Sequence, residues 1–90
     1  MLDVRYSSSF KKDFKACVKR SYSLPLLQAA IDTLRIPEPL PDKNRDHQLT
    51  GNFSGYRECH IGSDWLLIYR QTDTELQLFR TGTHSDLFGK

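Results

Sequence analysis

The sequence predicts an α+β fold in the order β-α-α-β-β-β, with a twisted, mainly antiparallel sheet and two N-terminal helices packed on one of its faces. Apolar residues recur at helical spacing in the first half of the chain and alternate with polar residues in the second half. The second half also contains a turn signal between two runs of strand-forming residues. With 90 residues we expect a single domain, residues 1–90.

The segment Gly55–Arg70 is predicted to be a β-hairpin at the centre of the sheet. Tyr56–Ile61 has the composition of one strand, Gly62–Ser63 that of a two-residue turn, and Asp64–Arg70 that of the returning strand. The run Trp65–Tyr69 is apolar on both faces, which favours a central strand covered on both sides.

Two amphipathic helices are predicted before the hairpin. Serines offer N-caps, at Ser7–Ser9 for the first helix and at Ser23 for the second, where Pro25 falls in the first turn. A proline-containing loop, Ile36–Arg45, ends the second helix. The apolar positions expected to face the sheet are Phe10, Phe14, Cys17 and Val18, then Leu27, Ala30, Ile31 and Leu34.

The remaining strands are shorter. Leu2, Val4 and Tyr6 alternate with charged residues in a first strand, and His47–Thr50 and Glu75–Arg80 flank the hairpin. Strict alternation in the last strand puts Arg80 on the face of Leu76 and Leu78, opposite Gln77 and Phe79. Ser85–Phe88 is predicted as a tail with one helical turn, and the sheet face opposite the helices is expected to be free for function.

The composition indicates a soluble, cytoplasmic protein. Cys17 and Cys59 form no C-x-x-C motif and are expected to be partly buried free thiols in a reducing compartment. No apolar run has membrane-spanning length, and no signal peptide follows Met1. The net charge is only +2, but the first helix is basic, with Lys11, Lys12, Lys15, Lys19 and Arg20. Taken alone, these lysines are typical of a solvated helix face.

The three histidines are the candidates for chemistry. His47, His60 and His84 lie at predicted strand ends or in the tail, outside every apolar stripe. One histidine there would be read as structural, whereas a group of three joined by charged residues favours a functional site. The charged residues that accompany them are Asp64, Arg57 and Arg80.

Metal binding and nucleophilic hydrolysis fit the sequence less well. The spacing of the histidines matches no compact zinc motif, although a three-histidine site assembled by the fold remains an alternative. Cys59 and His60 are adjacent on a strand, so their side chains point to opposite faces and form neither a shared metal site nor a Cys–His dyad. No serine lies in a G-x-S-x-G turn.

Metal-free RNA cleavage fits the residues best. RNA carries its own nucleophile, the 2′-OH, so the protein must supply a base, an acid for the leaving 5′-oxygen and cations for the phosphate. Histidines titrate in the range that both proton transfers need, and arginines pair well with phosphate. Phe88, Tyr56 or Trp65 would stack on a displaced base. For Trp65 we favour core packing, and for Phe88 stacking and anchoring of the tail are equally supported.

The second half of the chain contains three long motifs: Asp46-His47-x-Leu49-x-Gly51, then Gly55-Tyr56-Arg57-x-x-His60-Ile61-x-x-Asp64-Trp65-x-Leu67-Ile68-Tyr69, then Arg80-Thr81-Gly82-Thr83-His84-x-x-Leu87-Phe88. Ser7–Asp13 adds a Ser-x-x-Phe-x-Lys-Asp pattern. With these motifs the chain resembles, over nearly its whole length, the YafQ-type branch of the RelE/ParE toxin superfamily. The resemblance implies a RelE-like microbial ribonuclease fold. It further implies a ribosome-dependent endoribonuclease of a type II toxin–antitoxin pair, which cleaves mRNA in the ribosomal A site without a metal ion or cofactor.

The resemblance also assigns residues. The catalytic set of the family falls on His47, His60, Asp64, His84 and Phe88. His84 is expected to be the principal proton-transfer residue, His47 or Asp64 to take the complementary role, and His60 to orient or stabilise charge. Arg80 is expected to bind phosphate, Arg57 to be a structural or phosphate contact, and the helix lysines Lys11, Lys12, Lys15 and Lys19 to contact ribosomal RNA.

The resemblance implies partners as well. A cognate antitoxin is expected to neutralise the toxin with a flexible segment that folds across it. The free toxin is expected to be a monomer that joins a larger assembly with its antitoxin, and its targets are the 70S ribosome and mRNA. Two alternatives remain: a ParE-like toxin of the same fold that acts on gyrase, and a non-catalytic RNA- or protein-binding module.

Overall fold

The computed structural model describes residues 1–89, which form a five-stranded mixed sheet and three helices. The strand order is β1-β5-β4-β3-β2, and only the β1–β5 pair is parallel. The predicted α+β class and mainly antiparallel sheet are therefore confirmed. The two-residue β2 lies within the strand predicted at His47–Thr50, and α3 corresponds to the helical turn predicted at Ser85–Phe88, although the predicted order counts neither. The elements are β1 (Asp3–Tyr6), α1 (Ser8–Lys19), α2 (Leu24–Arg35), β2 (His47–Gln48), β3 (Arg57–Gly62), β4 (Trp65–Gln71), β5 (Glu75–Gly82) and α3 (His84–Phe88).

The two long helices begin where the serine signals predict. The Ser7 hydroxyl accepts a hydrogen bond from the Phe10 backbone N–H at 2.9 Å, which caps α1. Ser23 precedes α2 and makes no side-chain cap, but Pro25 occupies the first turn, where a missing N–H costs no helical bond. Both helices pack on the same face of the sheet, as predicted.

The main core lies between these helices and the sheet. All four predicted positions of α2 are buried, whereas Val18 of α1 is 48% exposed and was wrongly placed in the apolar stripe. Cys17 and Cys59 are buried free thiols, and burial raises the pKa of both. Trp65 also belongs to this core, as favoured from the sequence, and its Nε1 donates a 2.8 Å hydrogen bond to Thr81.

The central hairpin is confirmed, but its turn lies one residue later than predicted. Gly62 pairs with Trp65, so Ser63–Asp64 is the turn and Gly62 is the last residue of β3. The pairing of β3 with β4 is irregular between His60 and Gly62, where Ile61 is an extra residue without a partner in β4. This extra residue moves the turn along the chain. Asp64 is thereby placed at the tip of the hairpin.

A second irregularity lies in β5, next to Arg80. The register between β4 and β5 shifts so that Leu78 pairs with Tyr69 but Arg80 pairs with Ile68, leaving Phe79 as an extra residue. Strict alternation along β5 is therefore interrupted at Phe79. The Arg80 guanidinium nevertheless reaches Asp13 of helix α1.

The face opposite the helices is not wholly free, contrary to expectation. Leu66 and Ile68 are fully buried there, under a cover provided by α3 and by a short 3₁₀ turn at Gly51–Phe53. The covering side chains form a small second core: Leu49, Phe53, Tyr56, Phe79, Leu87 and Phe88. The part of this face that remains open lies on β2 and β3. None of the helices within residues 1–89 is long and apolar enough to span a bilayer.

Candidate active site

Strand pairing brings two of the histidines together with a carboxylate. His47 of β2 pairs with Glu58 of β3, and His60 lies two residues further along β3, so all three side chains share one face. Glu58 Oε1 lies 3.5 Å from His47 Nε2 and 3.9 Å from His60 Nε2. The Glu58 side chain is only 6% exposed, so it acts on the two imidazoles from a poorly solvated position.

The other ring nitrogen of His47 fixes the orientation of its ring. Nδ1 lies 2.7 Å from the backbone carbonyl oxygen of Arg45, which can only accept a hydrogen bond. Nδ1 therefore carries a proton and donates it to that oxygen. Nε2 is therefore the nitrogen that can exchange a proton with a substrate or with Glu58.

His60 occupies the middle of the histidine group. Its ring centroid lies 6.4 Å from that of His47 and 6.0 Å from that of His84. Burial lowers the pKa of His60, and the positive charge of Arg45 lowers it further, against the opposing effect of Glu58. The neutral imidazole is thus favoured at the centre of the group.

His84 is held by Asp64 across the sheet. One carboxylate oxygen of Asp64 accepts hydrogen bonds from the His84 backbone N–H at 3.1 Å and from its ring Nδ1 at 2.7 Å. These bonds, the backbone one first, lower the pKa of Asp64. Both side chains are about half exposed, and Nε2 is the ring nitrogen of His84 that Asp64 does not engage.

Helix α3 carries His84 into place and is itself anchored at its N-terminus. Thr83 and Asp86 form a reciprocal capping box, and Asp86 also receives two hydrogen bonds from Arg20 at the end of α1. The Arg20 side chain lowers the pKa of Asp86. Gly82 permits the close approach, since a Cβ at this position would lie 2.8 Å from Asp86 Oδ2 and the residue has φ +155°.

The aromatic candidates differ in their positions. Phe88 packs edge-on against Phe53 at 5.5 Å and lies 6.3 Å from the His84 ring, so it adjoins the histidines and also helps to anchor α3. Tyr56 stacks on Phe79 at 4.7 Å in the second core, and Trp65 is buried among the helices. Of the three, Phe88 alone contacts the histidine group.

The two candidate arginines are both paired with carboxylates. Arg80 makes a bidentate contact with Asp13 of α1, at 2.6 and 3.1 Å. Arg57 Nε donates to Asp46 at 3.0 Å and pairs with Tyr69 on the helix side of the sheet. The structure thus provides the structural contact expected of Arg57 and does not bring its side chain to the histidines. The four candidate lysines of α1 are all exposed: Lys11, Lys12, Lys15 and Lys19. Of these, Lys12 lines a cleft together with Asp13 and Arg80.

Comparison with known proteins identifies the family. Residues 2–89 match the model of the YafQ toxin, described as a bacterial toxin of type II toxin–antitoxin systems. This chain belongs to the YafQ toxin family. The resemblance predicted from the sequence motifs is therefore confirmed.

Individual relatives match over almost their whole length. The mRNA interferase toxin YafQ of Escherichia coli K12 is 44% identical over 89 residues, which cover 97% of this chain and 96% of that protein. YafQ in the E. coli DinJ–YafQ toxin–antitoxin complex superposes with a TM-score of 0.89 at 42% identity, covering 98% of each chain. A copper-bound mutant toxin from Helicobacter pylori gives a TM-score of 0.94 at 42% identity, over 98% of this chain and 100% of that one.

The copper-bound relative raises the question of a metal in this member of the YafQ family. Within residues 1–89, no group of three or more histidine, cysteine, aspartate or glutamate side chains is arranged to hold a metal ion. The carboxylate nearest the histidines is that of Glu58, whose Oε1 lies 3.5 Å from His47 Nε2 and 3.9 Å from His60 Nε2.

Glu58 is the residue beside the histidine group that sequence reasoning missed. It lies between Arg57 and Cys59 in a strand with mixed polar and apolar residues, and nothing in its neighbours marks it out. The available signal was its spacing, since residues 58 and 60 of one strand must share a face. A glutamate two residues before a candidate histidine in the same strand is therefore itself a candidate site residue.

Proposed function

We propose that this YafQ-family protein is a ribosome-dependent endoribonuclease that cleaves mRNA in the A site by metal-independent acid–base catalysis. The 2′-OH of the RNA attacks the adjacent phosphorus, and the bond to the 5′-oxygen of the next nucleotide breaks. The naming of its E. coli relative as an mRNA interferase supports RNA cleavage. The observation that carries the proposal is the Asp64–His84 contact beside the pair of histidines around Glu58.

His84 is the principal proton-transfer residue in this proposal. Its Nδ1 is held by Asp64 at 2.7 Å, so Nε2 is the nitrogen left to exchange a proton with the substrate. A carboxylate on the far nitrogen fixes the tautomer and stabilises the imidazolium that forms when Nε2 takes up a proton. The half-exposed position lets the ring reach RNA without rearrangement of the fold.

His47 takes the complementary role. Asp64, the other candidate from the sequence, is engaged by His84 and has a lowered pKa, so it remains ionised and is a poor proton donor at neutral pH. His47 has Nδ1 fixed by the Arg45 carbonyl and Nε2 near Glu58, which suits proton exchange at Nε2. His60, whose pKa is lowered by burial, lies between the other two rings and orients them and the phosphate.

The remaining residues bind RNA rather than transfer protons. Phe88, next to His84, is proposed to stack on a displaced base. Arg80, which is partly exposed and lies beside Lys12, is proposed to contact a phosphate in addition to Asp13. The exposed lysines of α1 provide sequence-independent attraction to ribosomal RNA. Arg57 remains a candidate phosphate contact that lies on the other side of the sheet.

The proposed partners follow from the family. The E. coli relative forms a complex with its antitoxin DinJ. We propose that this protein likewise binds a cognate antitoxin through a flexible segment of that partner, is a monomer when free, and acts on the ribosome and mRNA in the cytoplasm.

The proposal is tested by mapping mRNA 5′ ends after brief induced expression, beside a His84→Ala control whose fold is checked by circular dichroism. We expect cuts in frame with codons on translated messages only, and their loss in the control. Growth arrest with intact messages would instead support a gyrase-directed or non-catalytic toxin. Cuts that persist in a folded His84→Ala protein would refute the assigned role of His84.

A further inference from the structure

A second feature opens beside the histidine group, on the uncovered edge of β3. A cleft of about 470 Å³ lies between α2, the loop before β2 and the end of β3. Beyond Arg57 and Glu58, β3 has no pairing with β2, so its outer edge faces this cleft. The loop is tied to the strand by Asn44, whose Nδ2 donates a 2.8 Å hydrogen bond to the backbone oxygen of His60.

The cleft and the histidine group share residues. His60 lines the cleft and is also the middle member of the group. Arg45 lines the cleft, and its backbone oxygen accepts the hydrogen bond that orients His47. The cleft therefore adjoins the proposed cleavage site at two residues.

The walls of the cleft combine an apolar surface with positive charge. The apolar surface is formed by Leu26, Ala29, Ala30, Leu40, Pro41 and Ile61. Lys43 and Arg45 add two cations, and within residues 1–89 neither is paired with a carboxylate. No aspartate or glutamate of the described chain lines the cleft.

We infer that this cleft is a substrate subsite, which binds the mRNA nucleotide next to the cleaved phosphodiester, with its base against the apolar wall and its phosphate at Lys43 and Arg45. Base contacts with apolar side chains and phosphate contacts with cations are the two interactions that single-stranded RNA offers. The inference rests on the proposed function, because the cleft gains a substrate only if the histidine group cuts RNA.

The subsite has a role that the histidines do not fill. The proton-transfer groups act on the ribose and phosphate, which are the same for every nucleotide. A cleft that accommodates a base distinguishes nucleotides by size and shape, so it contributes to the choice of cleavage position. Binding outside the reacting atoms affects KM more than kcat unless it also orients the phosphate.

The test compares cleavage of a short mRNA on programmed ribosomes by wild type and two cleft variants, Lys43→Ala and Ala29→Trp. Ala29 is an exposed helix residue, so the indole fills the cleft without disturbing the core. We expect Lys43→Ala to raise KM about tenfold with kcat within about threefold. We expect Ala29→Trp to raise KM and to change the preferred base beside the cut. Matched controls are Arg5→Ala, on the opposite edge of the sheet, and Gln28→Trp, on another side of α2.

A binding measurement separates this inference from the proposed function. Backbone amide shifts are followed by NMR while the protein is titrated with an RNA trinucleotide that carries 2′-deoxy sugars and cannot be cut. Shifts concentrated at Ala29, Lys43 and Ile61, and weakened by both cleft variants, would support nucleotide binding in the cleft even if the proposed function failed because wild type cut no mRNA. Active wild type with cleft variants that match their controls in KM and base preference would overturn the subsite and leave the proposed function standing.

Discussion

A single carboxylate oxygen of Asp64 accepts hydrogen bonds from both the backbone N–H and the ring Nδ1 of His84. The two contacts join the tip of the central hairpin to the first residue of α3. The backbone bond positions the helix end, and the ring bond fixes the rotation of the imidazole. The orientation of the proposed proton-transfer group therefore depends on a residue 20 positions away in the chain.

Asp64→Asn is expected to lower kcat for mRNA cleavage about 100-fold with little change in KM. The amide keeps the size of the side chain but removes the charge that stabilises the imidazolium of His84. Single-turnover cleavage on ribosomes measures the effect. Asp73→Asn, an exposed substitution in the turn between β4 and β5, is the matched control. Equal rates for the two variants would remove Asp64 from the proposed site.

Glu58→Gln is expected to reduce kcat by roughly 10- to 100-fold, because the buried carboxylate lies within 4 Å of nitrogens of both His47 and His60. The glutamine preserves the shape of the side chain, so the thermal unfolding midpoint tests whether the fold is intact. Glu75→Gln removes a carboxylate from the far side of the sheet, where Arg5 is its partner. If Glu58→Gln lowered the thermal unfolding midpoint but left kcat unchanged, Glu58 would be a structural residue.

Gly82→Ala is expected to destabilise the protein by about 1–3 kcal/mol, since the added Cβ meets Asp86 and the backbone φ of +155° is strained for alanine. Urea unfolding measures the free energy. Gly62→Ala is the comparison for stability, because a Cβ there meets Trp65 only at 3.7 Å. An unchanged free energy of unfolding for Gly82→Ala would mean that α3 can shift to make room for the methyl group. The rate of mRNA cleavage by that variant would then show whether His84 is displaced with the helix.

Stability between pH 7 and pH 5 is expected to depend on His60. Burial lowers its pKa in the folded protein, so in this range the unfolded chain binds more protons and the free energy of unfolding falls as the pH falls. His60→Gln is expected to lessen the decline by at most about 1.4 kcal/mol per pH unit. Chemical denaturation at pH 7, 6 and 5 compares the two proteins. Parallel curves would show that His60 is solvated and titrates normally.

Removal of metal ions is expected to leave cleavage unchanged. The proposed proton transfers use only side chains and the 2′-OH of the RNA, although a related toxin is copper-bound. Because ribosomes need Mg²⁺, the toxin alone is treated with a chelator and desalted before the assay, and added Cu²⁺ or Zn²⁺ is tested separately. Loss of cleavage after chelation, restored by one of these ions, would contradict metal independence.

The parts of the fold that the sequence predicts are those set by local patterns. The spacing of Leu27, Ala30, Ile31 and Leu34 defines α2, and the apolar run after Asp64 defines the central strand. The irregularities were not predictable in this way. Gly62 looks like a turn residue, but pairing with Trp65 makes it the end of a strand. The five site residues implied by the resemblance include three histidines and Asp64, which the fold does bring together. Glu58 escaped notice because its role depends on which residue of β2 it faces.

The parallel pairing of β1 with β5 makes the four-residue β1 the edge strand of the sheet in place of the eight-residue β5. β1 is held in place by backbone hydrogen bonds from Leu2 to Arg35 and from Asp3 to Thr74, and it covers Glu75–Leu78. A variant lacking residues 1–6 would expose the N–H and C=O groups of β5 as an open template for strands of other molecules. Such a truncation is expected to self-associate even though every candidate active-site residue is retained. By contrast, Met1 is 85% exposed, so an affinity tag attached there would leave β1 in place over β5.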